Sequence, residues 1–423
     1  MTPPGSARLL LLLMMKLPSI KKLAHKAGKL RDDHRERHRP TGLGFALADS
    51  IDYLIPSDWD HVTSNSTVFL SRDYLRTLET AGPTNSRQRY ALIYRGKAPV
   101  AAVSAQSVSV SASSVPSSEI RKPIRVSLQR IEQNVLVCGN LLSWGCHGMA
   151  FASGENPEAL WPAVAEALYR IRRADKLHSG TDLILIKDVE DRMMEGAAAL
   201  RRISYRPLET EPNMILTLSP EWKSFDDYLA ALTSSYRKTA RHTIEAVKTA
   251  GCVIETLSNV AEYGPQLHAL YLQVHDRQKM RLVSLHPEFI PILATTLKEG
   301  FRCTVLRKGG EMVGFVTTLK DGDLAVGYYI GFDTAVNKEV PVYFRLLQAV
   351  VDDAIQMGCR KISFGRTALE PKARLGAKPE PLHVWVRHRV PALNLLVRGL
   401  MQSISHEEAP ERSPFKPPPS KSV

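Results

Sequence analysis

The 423-residue chain predicts an α/β fold with mixed sheets, arranged as two similar units in tandem. Its length suits two or three domains of about 150 residues. In residues 301–385 the pattern reads three strands, one helix and one strand, and a similar order recurs in residues 89–187. Because the order repeats without obvious residue identity, we interpret it as an internal structural duplication.

The three strands of the C-terminal half form a meander with two tight turns. Residues 302–306 and 312–319 are rich in β-branched and apolar side chains, and Gly309-Gly310 between them can adopt positive φ. Asp321-Gly322 supplies a second hairpin turn before an apolar, tyrosine-bearing strand at 324–331. Consecutive strands of this meander are therefore expected to be antiparallel.

A helix and a fourth strand follow the meander. Pro341 suits a first helical turn, and apolar residues recur at helical spacing up to Gly358: Val342, Leu346, Leu347, Val350, Val351, Ala354 and Ile355. Residues 361–364 then form a short strand. A helical crossover of this kind places the strand parallel to the last strand of the meander.

This order resembles the core of the GNAT acyltransferases, and the next segment resembles their Fem-type and peptidoglycan-biosynthesis-like members. Lys372 precedes Leu375-Gly376 after the crossover strand, Pro379 follows, and an aromatic-bearing strand occupies 382–388. The resemblance covers the C-terminal half well and the N-terminal half in outline. It implies a tandem pair of GNAT-like (acyl-CoA N-acyltransferase) domains and transfer of an acyl or aminoacyl group.

The N-terminal half begins with a helix and a hairpin. Ser71 is a candidate N-cap for a helix at 72–79. Residues 89–94 and 100–110 predict two antiparallel strands.

The same half continues with short strands and a longer helix. Strands are expected at 134–138 and 146–152, and Asn156 caps a helix at 157–176. Residues 181–187 form the strand that follows.

Domain boundaries follow from composition. Residues 205–213 hold two prolines and several acids, which suit a connection before a strand at 214–218. We therefore expect four segments: a mobile basic segment at 1–44, a GNAT-like domain at 45–212, a second GNAT-like domain at 213–404, and a disordered tail at 405–423. Each of the two domains is expected to have its own mixed sheet.

Positive charge is concentrated at the start of the chain. The formal net charge is +13, and residues 1–40 hold ten Lys/Arg against three acids. Such a segment is either a solvated tail or a surface attracted to anionic lipid or to nucleic acid such as tRNA. Peripheral membrane contact through this segment is thus one expectation.

Location is inferred from apolar runs and cysteines. The run at 9–15 is far shorter than the roughly 20 residues of a membrane span, and no small-residue cleavage site follows it. Five scattered cysteines show no paired spacing, which is typical of a reducing compartment. We expect a cytoplasmic protein, membrane-peripheral at most.

A basic helix opens the second unit. Ser224 and Asp227 form a capping box, and helical periodicity continues to Gly251, which predicts one helix of about seven turns. Basic side chains line its polar side: Arg237, Lys238, Arg241 and His242. They are either a solvated face or a ridge that binds an anionic donor, and the stretch is similar to the basic helix of Fem-type enzymes.

Several chemistries are excluded by missing motifs. The sequence has no phosphate-binding P-loop, no dinucleotide-binding Gly-x-Gly-x-x-Gly and no His-Glu-x-x-His zinc motif. Cys and His show no metal-ligand clustering, so we predict no metal site. Cys146-His147 is an unfavourable nucleophile and base, because adjacent strand residues face opposite sides.

The donor is left open between acyl-CoA and aminoacyl-tRNA. GNAT enzymes that use acetyl-CoA hold its pyrophosphate on a glycine-rich turn at a helix start. The corresponding turn at 333–340 has no glycine, and 154–157 has one glycine beside an acid. No resident cofactor is implied.

Candidate catalytic residues lie at the ends of two strands. One of Tyr328 and Tyr329, at the end of the meander, is expected to face the cleft as an acid or a binding surface. Lys372 could hold a phosphate or carbonyl oxygen, and Glu370 could orient it or accept the amine proton. The alternatives are core packing for the tyrosines and a surface ion pair for Glu370 and Lys372.

Further binding candidates surround these residues. Arg366 follows the crossover strand, where ligands of open sheets commonly bind, and the resemblance points to Gly376. His383 and Trp385 alternate along the next strand and are expected to border the same cleft. His275 and Asp276 are weaker candidates.

These residues together predict a transferase that moves an acyl or aminoacyl group onto a small-molecule or peptide amine. The resemblance implies cell-envelope or peptidoglycan-precursor metabolism as the setting. The alternative is a non-catalytic, basic protein that binds RNA or a membrane surface and keeps the fold. The sequence sets neither the acceptor nor the oligomeric state.

Overall fold

The computed structural model describes residues 39–111, 132–177, 180–278, 282–390, 394 and 410–417. The strands are β1 Gly44–Ala48, β2 Ser86–Arg95, β3 Ala98–Ser111, β4 Glu132–Cys138, β5 Met149–Phe151, β6 Leu183–Glu190, β7 Arg206–Thr217, β8 Cys252–Thr256, β9 Phe301–Lys308, β10 Glu311–Asp321, β11 Leu324–Phe332, β12 Lys361–Ser363 and β13 Lys378–His388. The α-helices are α1 Pro56–Thr63, α2 Arg72–Ala81, α3 Pro157–Ala174, α4 Met194–Ala197, α5 Phe225–Ala231, α6 Ser234–Thr249, α7 Gly264–His275, α8 Phe289–Leu297, α9 Val336–Glu339, α10 Val342–Gln356 and α11 Leu369–Arg374.

The predicted order of the C-terminal half is confirmed. Strands β9, β10 and β11 form the antiparallel meander, and β12 pairs parallel with β11 after the crossover through α10. The turn glycines Gly309, Gly310 and Gly322 all have positive φ, as the hairpins require.

The N-terminal half repeats this arrangement. Strands β2 and β3 form the expected hairpin, β4 pairs antiparallel with β3, and β6 pairs parallel with β4 after a crossover through α3. Asn156 caps α3 and Pro157 occupies its first turn. The mixed α/β class and the repeated order are thus confirmed, although the helix α1 was not predicted.

The prediction of two separate sheets was wrong. In the described part of the chain the strands form one sheet in the order β1-β2-β3-β4-β6-β13-β7-β12-β11-β10-β9-β8, with β5 on β3. The joining strand is β13, which pairs antiparallel with both β6 and β7. The predicted connection at 205–213 is part of β7, because its prolines fall where the ladder tolerates them: Pro212 lies in the register shift opposite the segment between Glu380 and Leu382.

The single long helix predicted up to Gly251 was also wrong. It is two helices, α5 and α6, and the backbone is extended at Leu232 and Thr233 between them. The predicted capping box of Ser224 and Asp227 is present. Residues of the segment 410–417 pair with the chain at this break, where Leu232 forms a β-bridge with Phe415.

The prediction of a disordered tail at 405–423 was therefore wrong for residues 410–417, which lie on α5. The amide of Thr233 donates to the carbonyl of Pro414, and the amide of Lys416 donates to that of Ala231. The mobile basic segment was predicted at 1–44; residues 1–38 lie outside the described residues, and a strand begins at Gly44.

A hydrophobic core is shared by the two halves. It joins buried residues of the N-terminal half to those of the C-terminal half, including Trp59, Phe69, Tyr74, Phe289, Phe315 and Tyr328. Such a core fixes the two units against each other. No helix in the described residues is both long and apolar enough to cross a membrane.

Candidate functional site

A β-bulge lies at the end of the meander. The pairing of β10 with β11 shifts between Val316 and Thr318, so Tyr328 and Tyr329 both lie opposite Thr317. The expectation that only one tyrosine faces the cleft was wrong. Because a bulge breaks strict alternation, both rings reach the aromatic cluster between the units and contact Phe289.

Both hydroxyls are hydrogen-bonded across the unit boundary. The hydroxyl of Tyr328 lies 2.7 Å from that of Tyr74, which accepts from Asn140 Nδ2, and the hydroxyl of Tyr329 donates to the carbonyl of Leu142 at 3.0 Å. Burial raises the pKa of Tyr328 and of Tyr329 well above the usual value. A phenol of raised pKa is a weak proton donor, so the geometry favours packing for both.

Strands β11 and β12 separate beyond a short paired region. They pair only at Leu324–Val326 and Lys361–Ser363. Trp144, from the N-terminal unit, fills the opening: its Nε1 donates to Ser363 Oγ at 2.7 Å, and a Cβ on Gly365 would lie 2.9 Å from its ring. Sequence reasoning missed this residue, although a tryptophan inside the glycine-rich stretch at 139–148 was a usable signal.

The turn that would hold a donor pyrophosphate is capped by the protein itself. Oδ1 of Asp333 accepts hydrogen bonds from the amides of Ala335 and Val336, at 2.7 and 3.0 Å. The amide of Tyr343, at the start of α10, donates to Asn337 Oδ1. Because these amides are satisfied and a carboxylate occupies the turn, it does not fit a pyrophosphate.

Lys372 is a buried amine on α11. It is 4% exposed, and within the described residues its amino group makes no hydrogen bond or ion pair. Burial lowers the pKa of Lys372 to about 7, and the carboxylate of Glu211 on β7 acts in the opposite direction. An unpartnered buried amine with this pKa can both accept and donate a proton near neutral pH.

The predicted partnership of Glu370 with Lys372 was wrong. Glu370 instead accepts from Arg374, one helical turn away, and from Arg412 of the tail segment. These pairs lower the pKa of Glu370, with the Arg374 hydrogen bond as the largest cause. Because its carboxylate points to the surface, it is an exposed ion pair.

Arg366 takes part in a buried charge network between the units. Its Nη1 donates to Oδ1 of Asp188, which is fully buried at a left-handed φ of 57°. Lys187 pairs with the same carboxylate and donates to the carbonyl of Ser143, and the amide of Gly145 completes the set. Burial opposes ionisation of Asp188, but Lys187 and Arg366 hold its pKa below the usual value.

The remaining predicted cleft residues are dispersed. Gly376 lies against the tail, where an added Cβ would meet the Phe415 ring at 2.2 Å. His383 pairs with Asp191 at 2.5 Å, and Trp385 is fully buried in the core beneath α3. The expectation that His383 and Trp385 border one cleft was wrong, because β13 belongs to the N-terminal sheet as much as to the C-terminal one.

The basic ridge on α6 is exposed. Lys238, Arg241 and His242 are exposed and Arg237 is half-buried, and within the described residues none of them pairs with an acid. The side chain of Arg237 donates a hydrogen bond to the carbonyl of Ala230 at 3.3 Å. The two interpretations of the ridge, solvated face and donor contact, both stay predictions.

The weaker candidates His147 and His275 have hydrogen-bond partners within the protein. His147 is buried, stacks on Phe69 and shares a hydrogen bond with Ser143, and burial lowers its pKa to about 3. Burial raises the pKa of Cys146 to about 12, which disfavours a thiolate. His275 bonds to the hydroxyls of Tyr271 and Ser284. No group of three metal-ligating side chains lies together among the described residues.

Comparison with known proteins supports the GNAT assignment. Residues 234–373 match the family model described as the acetyltransferase (GNAT) domain. The chain is 25% identical over 284 residues to a Mycobacterium tuberculosis protein provisionally named 8-amino-7-oxononanoate synthase 2. That match covers 65% of this chain and 36% of the relative, so the chain spans about a third of the length of the curated relatives it matches.

A solved structure shows the same fold. FemX is similar with a TM-score of 0.54 at 11% identity, over 83% of this chain and 99% of that one. A tandem GNAT protein from the clavulanic acid biosynthesis pathway, without acetyl-CoA, has a TM-score of 0.47 at 12% identity, over 82% and 98%. The matched domain and the repeated order of elements give a tandem GNAT-like arrangement.

Proposed function

We propose, on the premise that residues 234–373 form a GNAT domain, that this chain transfers an acyl or aminoacyl group to an amine at a site that contains Lys372. The observation that carries the proposal is the burial of Lys372 without a partner among the described residues, with a pKa of about 7. Leaving such a group unpaired costs stability, so a substrate is the expected partner.

The step assigned to Lys372 is proton transfer. In its neutral form it removes a proton from the acceptor amine as the new C–N bond forms. The bond between the carbonyl carbon and the donor's sulfur or oxygen then breaks, and Lys372 returns the proton to that leaving atom. Tyr328 and Tyr329 hold the neighbouring strand in place, because their hydroxyls are committed to Tyr74 and Leu142.

The donor in this proposal is held away from the turn at 333–340. Asp333 caps that turn and Trp144 fills the opening between β11 and β12. These two observations favour an aminoacyl-tRNA, or an acyl-CoA bound in another way, over an acyl-CoA held by the usual turn. The exposed ridge of Arg237, Lys238 and Arg241 is the proposed contact for an anionic donor. Envelope-precursor metabolism is the setting that the Fem-like resemblance implies.

The same two observations favour a second candidate, a non-catalytic binding protein that keeps the fold. A measurement of turnover distinguishes the transferase from the non-catalytic protein. The full chain is incubated with acetyl-CoA, longer acyl-CoAs or charged tRNA together with a panel of amines, and release of CoA or of uncharged tRNA is followed. Turnover above the uncatalysed rate supports the transferase, and its absence with every donor supports the non-catalytic candidate.

Lys372→Met tests the site, because methionine fills similar volume without a charge or a proton. We expect turnover to fall about a hundredfold to a thousandfold. The matched control is Lys378→Met, at an exposed position on β13. If Lys372→Met is at least as stable as wild type in a thermal melt and keeps more than half of the turnover, the site assignment is wrong.

A further inference from the structure

A groove of about 970 Å³ is lined in part by α3, and Lys372 is not among its lining residues. One wall is a face of α3 that carries residues at helical spacing: Pro162, Ala165, Glu166, Tyr169, Arg170 and Arg173. The opposite wall combines the segment Ala198–Ile203, Arg387 of β13 and the entering chain at Arg39. The volume is within the range of ligand sites in proteins.

Most arginines of this groove lack an acidic partner among the described residues. Five arginines line it against one acid, Glu166. Both oxygens of Glu166 are already used, Oε1 by Arg170 and Oε2 by the amide and hydroxyl of Thr41. Within the described residues the other four pair with no carboxylate: Arg39, Arg173, Arg202 and Arg387. Several uncompensated guanidinium groups around one groove attract an anion, and arginine binds phosphate through two parallel hydrogen bonds.

The groove is also apolar between the arginines. Pro162, Ala165 and Ile203 line it and are at least partly buried, so part of its lining is apolar. A phosphate with an attached hydrocarbon chain matches both surfaces. A nucleic acid matches them less well, because binding of single strands relies on several stacking aromatics, and among the described lining residues Tyr169 is the one aromatic.

We propose that this groove binds the phosphate headgroup of an anionic phospholipid. Continuity with the start of the chain supports this occupant: Arg39 ends a 40-residue segment with ten Lys/Arg and three acids, and that charge favours an anionic membrane surface. The groove would then position the protein against a lipid surface. The proposal is independent of the proposed function.

The test is co-sedimentation of the full chain with vesicles. Vesicles of zwitterionic phosphatidylcholine alone are compared with vesicles that also contain phosphatidylglycerol. We expect binding only to the anionic vesicles, weakened about thirtyfold by Arg173→Gln with Arg202→Gln, since each arginine near a surface adds about fivefold. The matched control removes two positive charges from exposed positions of the other unit, Arg360→Gln with Lys361→Gln. Thermal melts confirm that both double variants fold.

Two further arms distinguish other sources of phosphate. Inorganic phosphate and glycerol 3-phosphate are added to the protein and the melt is followed, and uncharged tRNA is added in a binding assay. Loss of vesicle binding in the groove variant alone supports the proposal. Equal loss in both variants overturns it, as does dependence of phosphate or tRNA binding on the two arginines without groove-dependent binding to vesicles.

Discussion

The indole Nε1 of Trp144 donates a hydrogen bond to Oγ of Ser363, at 2.7 Å, across the boundary between the two units. Ser363 in turn donates to Oδ1 of Asn213 at 3.0 Å, so the contact is anchored in the sheet. The ring occupies the opening between β11 and β12. Access to that opening therefore depends on one side chain of the other unit.

Trp144→Ala is expected to open the space between β11 and β12. We predict that binding of acetyl-CoA, measured by titration calorimetry, strengthens in the variant or becomes detectable for the first time. Asp333→Ala combined with it should strengthen binding further, because it frees two turn amides. Trp222→Ala, which removes a tryptophan near the tail, is the control. Equal affinity in wild type and both Trp144 variants would contradict this.

The stability contribution of Lys372 should depend on pH. Its folded pKa of about 7 lies below the value of about 10.4 for an unfolded chain, so between these values the unfolded state binds more protons. Stability of the wild type therefore rises with pH across this window relative to Lys372→Met. We expect the variant to be the more stable protein at pH 7, and its advantage to shrink by about 1.4 kcal/mol per pH unit above that.

Urea unfolding of both proteins at pH 7, 8 and 9 measures this difference. Lys378→Met, an exposed control, should show the same difference from wild type at every pH. An advantage of Lys372→Met that stays constant from pH 7 to 9 would mean that the amine is not buried in a neutral form.

Asp188→Asn is expected to destabilise the protein strongly. The substitution leaves Lys187 and Arg366 beside a fully buried position without a negative charge, and such a loss costs about 3 to 5 kcal/mol. Asp191→Asn, three residues along and exposed, is the control and should cost less than about 1 kcal/mol. The measurement is chemical unfolding at neutral pH, and similar costs for the two variants would refute a structural network at Asp188.

The contact between Phe415 of the tail and Gly376 should be measurable as a coupling free energy between the two positions. Phe415→Ala removes a half-buried ring that packs on Trp222 and Tyr228, and we expect a cost of about 1 to 2 kcal/mol. Gly376→Ala adds a Cβ that collides with Phe415, on top of strain at a φ of 98°. In a double-mutant cycle the two losses should therefore be less than additive. Additive losses would show that Phe415 does not press on Gly376.

Binding of an anionic donor tests the ridge on α6. Changing Arg237, Lys238 and Arg241 together to Ala should weaken binding of charged tRNA at low salt, and the loss should shrink at high salt because screening already removes part of the attraction. Filter binding across a salt series measures both effects. Unchanged binding at low salt would favour the solvated-face interpretation.

The sequence predicted best where local chemistry decides the structure. The meander of β9, β10 and β11 follows from Gly309-Gly310 and Asp321-Gly322, whose positive φ sets both turns. The cap of α2 follows from Ser71, which accepts from the amide of Tyr74. Lys372 was identified by resemblance, and the structure adds that it is buried; its role stays a prediction.

The failures share a physical cause, which is pairing between residues far apart in the chain. Strand β13 lies between β6 and β7, and nothing in its own alternation shows that it joins two half-sheets. The roles of Asp188 and Trp144 depend on Arg366 and Ser363, in the other unit. The helix predicted to continue to Gly251 is interrupted at Leu232, which pairs with Phe415, a residue far away in the sequence. Local propensity carries no information about such partners.

The position of β13 has a consequence for how the protein is made. On a ribosome, β6 emerges long before β13, so one edge of the N-terminal sheet has no partner while the second unit is synthesised. An unpaired strand edge is a site for pairing with other chains, and distant pairings form slowly. Nascent chains that end before residue 378 therefore expose an unpaired strand edge that can pair with other chains. Chaperones that shield such edges would act on the protein in this interval.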